Sequence, residues 1–164
     1  MILLHNIGER VNSNYNTREE ILASSGPISF DGVYSTVWFN QNVLLDRDVT
    51  LFVTGSFVGG NNRFDDPMPF ETFCDWNQIM QMVIQYGCRL GWHTWTHKDL
   101  TLISDAELLY EVTPPFPMDH FAYPYGKFNA NVIEAVRTAG FKTAWGVFDG
   151  DNSDFQKTRR YLNW

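Results

Sequence analysis

The chain lacks the features that mark disulfide scaffolds, nucleic-acid-binding proteins and membrane proteins. Cys74 and Cys88 are the only cysteines among 164 residues. Two cysteines make no disulfide framework in a domain of this size, so we expect two free, half-buried thiols. Lys and Arg form no run, and a formal net charge of −7 argues against nucleic acid and anionic membrane surfaces as partners. No apolar stretch approaches the ~20 residues that span a bilayer.

The N-terminus also lacks the apolar core of a signal peptide, because the run at residues 2–4 is far too short. The sequence therefore predicts a cytoplasmic protein if the chain is full length, although a chain trimmed of its signal would look the same. Its length indicates one domain over residues 1–164, large enough to bury a core. Thirteen Phe, seven Tyr and six Trp suit either that core or an aromatic cleft.

Short apolar runs alternate with amphipathic ones, which is the pattern of strands each followed by a helix. The predicted strands cover residues 2–4, 27–30, 49–53, 88–92, 121–123 and 142–147. The predicted helices cover residues 17–23, 33–45, 70–86, 104–111 and 129–139. Capping boxes start two of them, at Thr17 with Glu20 and at Ser104 with Glu107. Residues 149–164 are polar and give no clear element.

The pattern predicts an α/β fold of about six strands. A complete eightfold β/α barrel needs ~200–250 residues, so the chain is too short for one. A distorted, incomplete (β/α) barrel and an open sheet both remain possible. In either fold, active sites gather at the carboxyl ends of the strands.

The predicted helix over 70–86 carries an apolar stripe that should face the core. Phe73, Trp76, Met80, Val83 and Ile84 recur at helical spacing along it. The stripe therefore predicts burial and no functional role.

Two histidines four residues apart, His93 and His97, follow the predicted strand over 88–92. Neutral imidazole is the commonest protein ligand for transition metals, and this spacing lets two rings converge across one helical turn. Taken alone, such a pair is more often a solvated or hydrogen-bonded pair than a metal site. Its position at a strand end makes a site worth testing.

Other polar residues also stand at predicted strand ends. Each alone has an ordinary explanation, such as Asp31 as a helix cap or His5 as a core histidine. Together they would put a carboxylate and three histidines on one rim. The set is His5, Asp31, Thr54, His93, His97, the turn Tyr123-Pro124-Tyr125-Gly126, Trp145 and Asp149.

At these residues the chain resembles the NodB-homology polysaccharide deacetylases, the fourth carbohydrate esterase family. The family's Phe-Asp-Asp-Gly strand end is Phe30-Asp31-Gly32 here, and its Thr-Phe-Phe-Val-x-Gly strand is residues 50–55. Its Gly-x-His-[Ser/Thr]-x-x-His motif is residues 91–97, and its Pro-Tyr-Gly turn is residues 124–126. The resemblance covers residues 1–150.

The resemblance implies a distorted β/α barrel holding one divalent metal ion, zinc first, with cobalt or nickel as alternatives. It makes His93 and His97 metal ligands with Asp31. It gives the backbone N–H of Tyr125 to the oxyanion, and Tyr123, Pro124, Tyr125 and Trp145 to substrate binding. The implied partner is an acetylated carbohydrate.

The main departure is the single acid, since Gly32 stands where the family has a second Asp. One carboxylate cannot easily be both a metal ligand and a free base. The ligand role for Asp31 is favoured because two histidines with only water hold a metal poorly. Asp65 and Asp66 could supply a further acid, although a solvated loop is the simpler interpretation.

A second departure is the family's late histidine, because no histidine follows His120. Members of the poly-N-acetylglucosamine deacetylase type begin with an apolar strand ending in Tyr-His, and Leu4-His5 resembles it. His5 is therefore the candidate general acid. Its rival, His120, precedes the fifth predicted strand and would lie at the wrong end. The Arg often found two residues before the family's Pro-Tyr-Gly is Ala122 here.

The sequence thus predicts a metal-dependent deacetylase that removes N- or O-acetyl groups from a sugar, glycan or glycolipid. Two alternatives stay open. One is a catalytically inactive, deacetylase-like domain that binds carbohydrate. The other is an amidohydrolase acting on a non-sugar amide. The sequence leaves the oligomeric state open.

Overall fold

A computed structural model describes residues 1–9, 14–63, 69–147 and 150–162. Its strands are numbered in chain order as β1 (Ile2–Leu4), β2 (Asn6–Ile7), β3 (Tyr15–Asn16), β4 (Ile28–Asp31), β5 (Val49–Val53), β6 (Arg89–Trp92), β7 (His120–Ala122), β8 (Thr143–Val147) and β9 (Lys157–Tyr161). Its helices are α1 (Arg18–Ala23), α2 (Ser35–Phe39), α3 (Trp76–Tyr86), α4 (Asp105–Val112) and α5 (Ala130–Thr138).

Seven parallel strands close into a barrel in the order β1-β4-β5-β6-β7-β8-β9. Closure comes from β9, which pairs with β8 on one side and with β1 on the other, so that Leu3 faces Tyr161. The (β/α) barrel is confirmed. Its seventh strand comes from the tail, where the polar sequence Lys157–Tyr161 shows no strand pattern. The strands β2 and β3 form a separate parallel pair.

Local signals placed the helix starts correctly where a cap was predicted. Both capping boxes are present, at Thr17 with Glu20 and at Ser104 with Glu107. These boxes satisfy backbone N–H groups that a helix start leaves without partners. The predicted helix over 33–45 is shorter, because α2 gives way to a 3-10 helix over Gln41–Leu44.

The predicted helix over 70–86 was wrong in its first turns. It begins only at Trp76, capped by Asp75, whereas Phe73 makes an isolated antiparallel bridge with Tyr34. Residues 70–75 are therefore an extended segment that lies beside the start of α2.

The predicted apolar stripe was only partly right, because Phe73 is buried and Trp76 and Val83 pack against the core, whereas Met80 and Ile84 are exposed. Ile84 is 78% exposed, and the helix buries Ile79 and Met82. Apolar residues occupy most positions of Trp76–Tyr86, so the sequence supports more than one stripe, and packing against the barrel selects among them.

The barrel strands β1, β4 and β5 are buried on both faces, as expected for parallel strands covered by helices. Every residue of β4 and β5 is buried. Cys74 and Cys88 are free, as expected, but both are fully buried and not half-buried, and burial raises their pKa values to about 12 and about 11. Among the described residues, no helix is both long and apolar enough to cross a membrane.

Candidate active site

A cavity of about 400 Å³ opens at the carboxyl ends of the barrel strands. Parallel strands bring these ends to one rim, so residues distant in sequence become neighbours there. The lining includes His5, Asp31, His93, His97, Tyr125, Arg159 and Tyr161. The structure therefore brings the carboxylate and the three predicted histidines to one cavity.

The rings of His93 and His97 meet inside this cavity, with their Nε2 atoms 3.1 Å apart. The connecting residues form a loop, not the helical turn that the spacing suggested. Thr94 and His97 both adopt left-handed backbone angles, with φ of 68° and 58°. The two rings therefore meet as the spacing predicted, but the backbone between them is an irregular loop and not a helical turn.

His93 is held in a defined tautomer. Its Nδ1 lies 2.8 Å from the carbonyl oxygen of Ala122, which can only accept, so Nδ1 carries the hydrogen. The Nε2 lone pair then faces His97. Burial lowers the pKa of His93 to about 3, although Asp31 opposes that effect. The ring is consequently neutral near pH 7, which is the state that binds metal ions.

Asp31 forms a buried, two-pronged ion pair with Arg159. Nη1 donates to Oδ1 at 2.5 Å and Nη2 to Oδ2 at 2.9 Å. Burial alone would raise the pKa of Asp31, but the charges of Arg159, His93 and His5 bring it down to about 2. Oδ2 lies 3.5 Å from Nε2 of His93. The carboxylate is therefore ionised and stands beside the histidine pair.

Sequence reasoning missed Arg159. It lies in β9, 128 residues from Asp31, and no motif marks it. Only the closure of the barrel, which seats β9 beside β1, brings its guanidinium to the end of β4. An arginine that precedes a second arginine in a polar tail carries no signal of burial, so the sequence offered no way to select it.

The two candidate acid histidines lie at different ends of the barrel. His5 directly follows β1 and lines the cavity, with its ring stacked on Tyr161 at a centroid distance of 6.2 Å. His120 is the first residue of β7, and its Nδ1 lies 2.7 Å from Oγ1 of Thr143. The structure therefore places His5 at the rim and His120 away from it.

The Pro-Tyr-Gly turn reaches the cavity through Tyr125. This residue has a left-handed backbone, with φ of 58° and ψ of 10°. Its side chain is 64% exposed, and its ring meets the ring of His97 edge-on at 4.8 Å. Tyr125 is thus a wall of the cavity next to the histidine pair.

The other residues assigned to substrate binding occupy different positions. Tyr123 lines the cavity but is fully buried, and its hydroxyl donates to the carbonyl oxygen of Phe155 at 3.0 Å. Pro124 and Trp145 are not among the described residues that line the cavity. Lys157 Nζ lies 5.8 Å from the centre of the Trp145 ring. Asp65, Asp66 and Asp149 lie outside the described residues.

The two imidazoles are spaced to occupy two coordination positions around one divalent cation. Two nitrogen ligands of tetrahedral zinc, each at about 2.0–2.1 Å, stand about 3.3 Å apart, close to the observed separation. Within the described ranges, no group of three or more His, Cys, Asp or Glu residues is arranged to hold a metal ion. The donor set that the structure offers is therefore the two imidazoles, with Asp31 engaged by Arg159 at their side.

Solved structures of deacetylases share this architecture. IcaB from Ammonifex degensii is 19% identical with a TM-score of 0.69, over 88% of this chain and 82% of that one. The deacetylase PplD from Streptococcus pyogenes, solved in complex with acetate, is 15% identical with a TM-score of 0.75, over 98% and 89%. A polysaccharide deacetylase from Bacillus cereus is 14% identical with a TM-score of 0.73, over 98% and 63%.

At these identities the solved structures establish a shared fold. No curated protein matches the chain significantly. The family model described as polysaccharide deacetylase matches residues 28–144, well over half of the sequence. That span runs from β4, which carries Asp31, through the histidine pair and the Pro-Tyr-Gly turn to β8, and so the chain belongs to the polysaccharide deacetylase family.

Proposed function

We propose that this protein is a metal-dependent deacetylase that hydrolyses N- or O-acetyl groups of a sugar, glycan or glycolipid. One observation carries the proposal. The Nε2 atoms of His93 and His97 converge to 3.1 Å in a cavity that also holds the ionised Asp31. Membership of the polysaccharide deacetylase family supports an acetylated carbohydrate as the substrate.

The proposed metal ligands are His93 and His97, with zinc as the first candidate and cobalt or nickel as alternatives. A bound divalent cation would polarise the acetyl carbonyl and acidify a water molecule. The tautomer of His93 prepares its Nε2 for this role, because the carbonyl of Ala122 engages the other ring nitrogen.

We assign Asp31 the role of proton acceptor for the attacking water, in place of the ligand role that sequence reasoning favoured. Arg159 donates to both carboxylate oxygens, so a cation bound to Oδ2 would lie close to the guanidinium charge. The same hydrogen bonds orient the carboxylate. With a pKa of about 2, Asp31 is ionised at neutral pH and can accept a proton once the water has been acidified.

The remaining roles go to two residues of the rim. His5 is proposed to donate a proton to the leaving amine or alcohol. It lines the cavity and lies close enough to Asp31 to help lower the pKa of that carboxyl. The backbone N–H of Tyr125 is proposed to donate to the oxyanion that forms when water adds to the carbonyl.

The deciding experiment measures metal content and acetate release together. Wild type, His93→Ala and Asp31→Asn are loaded with zinc or cobalt, and the folded protein is assayed by plasma mass spectrometry. Acetate release is followed with N-acetylglucosamine oligomers and an O-acetylated xylan. We expect one cation per chain in the wild type, loss of it in His93→Ala, and a retained cation without acetate release in Asp31→Asn.

Each other outcome has a defined meaning. Loss of the cation in Asp31→Asn would make Asp31 a ligand. Release of ammonia from a non-sugar amide, with no acetate from either glycan, would identify a different amidohydrolase. A wild type that binds neither zinc nor cobalt would contradict the proposal.

A carbohydrate-binding domain without catalysis is the second candidate. Gly32 favours it, because the motif that this strand end resembles carries a second acid at that position. This candidate predicts that the wild type and Asp31→Asn bind the N-acetylglucosamine oligomers with equal affinity in calorimetry. It also predicts that neither protein releases acetate.

A further inference from the structure

Glu111, at the end of α4, is a buried carboxylate with no role in the reaction described above. The residue is only 1% exposed. Oε2 accepts the backbone N–H groups of Trp95 at 2.9 Å and Thr96 at 2.8 Å. The hydroxyl of Thr96 donates to Oε1. All three hydrogen bonds come from the loop between His93 and His97.

This loop needs an external support. Two of its non-glycine residues, Thr94 and His97, have left-handed backbone angles. Such conformations cost energy and persist only where surrounding contacts hold them. Burying a carboxylate is also unfavourable unless donors surround it. The loop supplies donors to Glu111, and Glu111 supplies the acceptors that hold the loop.

The two ends of the loop are held in different ways. At His93, the backbone N–H donates to Val53 and Nδ1 bonds to Ala122, so barrel strands position this ring directly. At His97, the backbone N–H donates to Oγ1 of Thr94, which is a bond within the loop. The place of the second imidazole therefore depends on how the middle of the loop is anchored. There the carbonyls of Thr94 and Trp95 accept from the backbone N–H groups of Gly55 and Ser56, and Glu111 accepts from the N–H groups of the loop.

We propose that Glu111 is a positioning residue that sets the separation of the two imidazoles. It ties Trp95 and Thr96 to α4, and together with the bonds from Gly55 and Ser56 this contact fixes the bend that brings His97 back towards His93. A second tie strengthens the same link, because the indole N–H of Trp92 donates to the backbone carbonyl of Glu111 at 2.9 Å. The consequence for a cation rests on the proposed function, whereas the anchoring of the loop does not.

The test compares two substitutions at this position. Glu111→Met fills the space but removes every acceptor, leaving the N–H groups of Trp95 and Thr96 without the carboxylate that accepts from them. Glu111→Gln keeps one oxygen for both N–H groups, and its amide can donate to the Thr96 hydroxyl. Glu134→Met, an exposed glutamate on α5, is the matched control.

Two measurements are made on each protein. Hydrogen exchange of the Trp95 and Thr96 amides is followed in metal-free protein, and the dissociation constant for Co²⁺ is obtained from its visible absorption. We expect Glu111→Met to raise both exchange rates at least about tenfold and to weaken Co²⁺ about 10–100-fold, as loss of outer-shell support does. Glu111→Gln should stay within about threefold of wild type, and Glu134→Met should match it.

Wild-type exchange rates and Co²⁺ affinity in Glu111→Met would overturn the proposal. If the wild type binds no Co²⁺, the proposed metal fails while the exchange rates still decide whether Glu111 anchors the loop. If Glu111→Met does not fold, Thr96→Val decides, because it deletes only the hydroxyl donor. Unchanged exchange rates and an unchanged Co²⁺ dissociation constant in that variant would refute the positioning role, and a rise in both quantities would support it.

Discussion

Arg159 at one end of the sequence binds both carboxylate oxygens of Asp31, and the pair is buried beside two converging histidines. The contact unites the strand that closes the barrel with the strand that carries the only described carboxylate lining the cavity. The same ion pair therefore stabilises the closed barrel and orients the carboxylate of the cavity.

Asp31→Asn should destabilise the metal-free protein by about 3–5 kcal/mol, because it leaves the Arg159 guanidinium buried without a counter-charge. Urea denaturation measures the loss. Asp48→Asn, which breaks the half-exposed pair with Arg89, is the control and should cost ~1 kcal/mol or less. An Asp31→Asn protein as stable as wild type would contradict the strength that we assign to the buried pair.

Gly32→Ala should cost more stability than Gly26→Ala. Both glycines have left-handed angles, with φ of +83° and +89°, so each alanine pays a similar backbone cost of about 1–2 kcal/mol. A Cβ at Gly26 meets nothing within 4 Å, whereas one at Gly32 meets a ring carbon of Phe73 at 3.1 Å. Thermal denaturation of the two variants checks the difference.

The same contact bears on the missing second acid. An Asp side chain at position 32 can enter the site only by displacing the Phe73 ring. We therefore expect Gly32→Asp to bind Co²⁺ no more tightly than the wild type does. For the alanine pair above, equal losses of stability in Gly32→Ala and Gly26→Ala would show that the contact with Phe73 adds nothing to the cost of the Gly32 substitution.

The metal-free protein should lose stability as the pH falls below about 6.5. His93 takes up a proton at its ordinary pKa of 6.5 when unfolded, but only near pH 3 in the fold, because it is buried. The unfolded state therefore binds more protons across this window, and the free energy of unfolding rises with pH there.

His93→Gln provides the control for this effect, since it keeps a polar side chain but removes the titrating ring. Urea denaturation between pH ~5 and ~8 should show a shallower dependence in the variant. Parallel curves for the two proteins would show that His93 contributes nothing to the pH dependence.

His5→Gln should reduce kcat for acetate release by about 10²–10⁴-fold while the bound cation is retained, because the variant cannot protonate the leaving group. His120→Gln, at the opposite end of the barrel, should leave kcat unchanged. Steady-state kinetics with metal analysis of the same samples provides the measurement. Full activity in His5→Gln would remove His5 from the mechanism.

The amino-acid pattern alone determined the features that depend on neighbours in sequence. Capping boxes placed helix starts, apolar runs placed the first six barrel strands, and motif spacing selected Asp31, His93 and His97. Because parallel strands carry their following residues to one rim, knowing the strand ends was sufficient to predict that these side chains meet.

Tertiary structure decided everything that depends on strand closure and packing. No motif marks Arg159 or Glu111, and they meet Asp31 and the histidine loop only because β9 closes the barrel and α4 packs against that loop. The buried face of α3 was likewise chosen by packing among several apolar stripes. A linear pattern records local periodicity, whereas a buried charge is identified by the partner that the fold places against it.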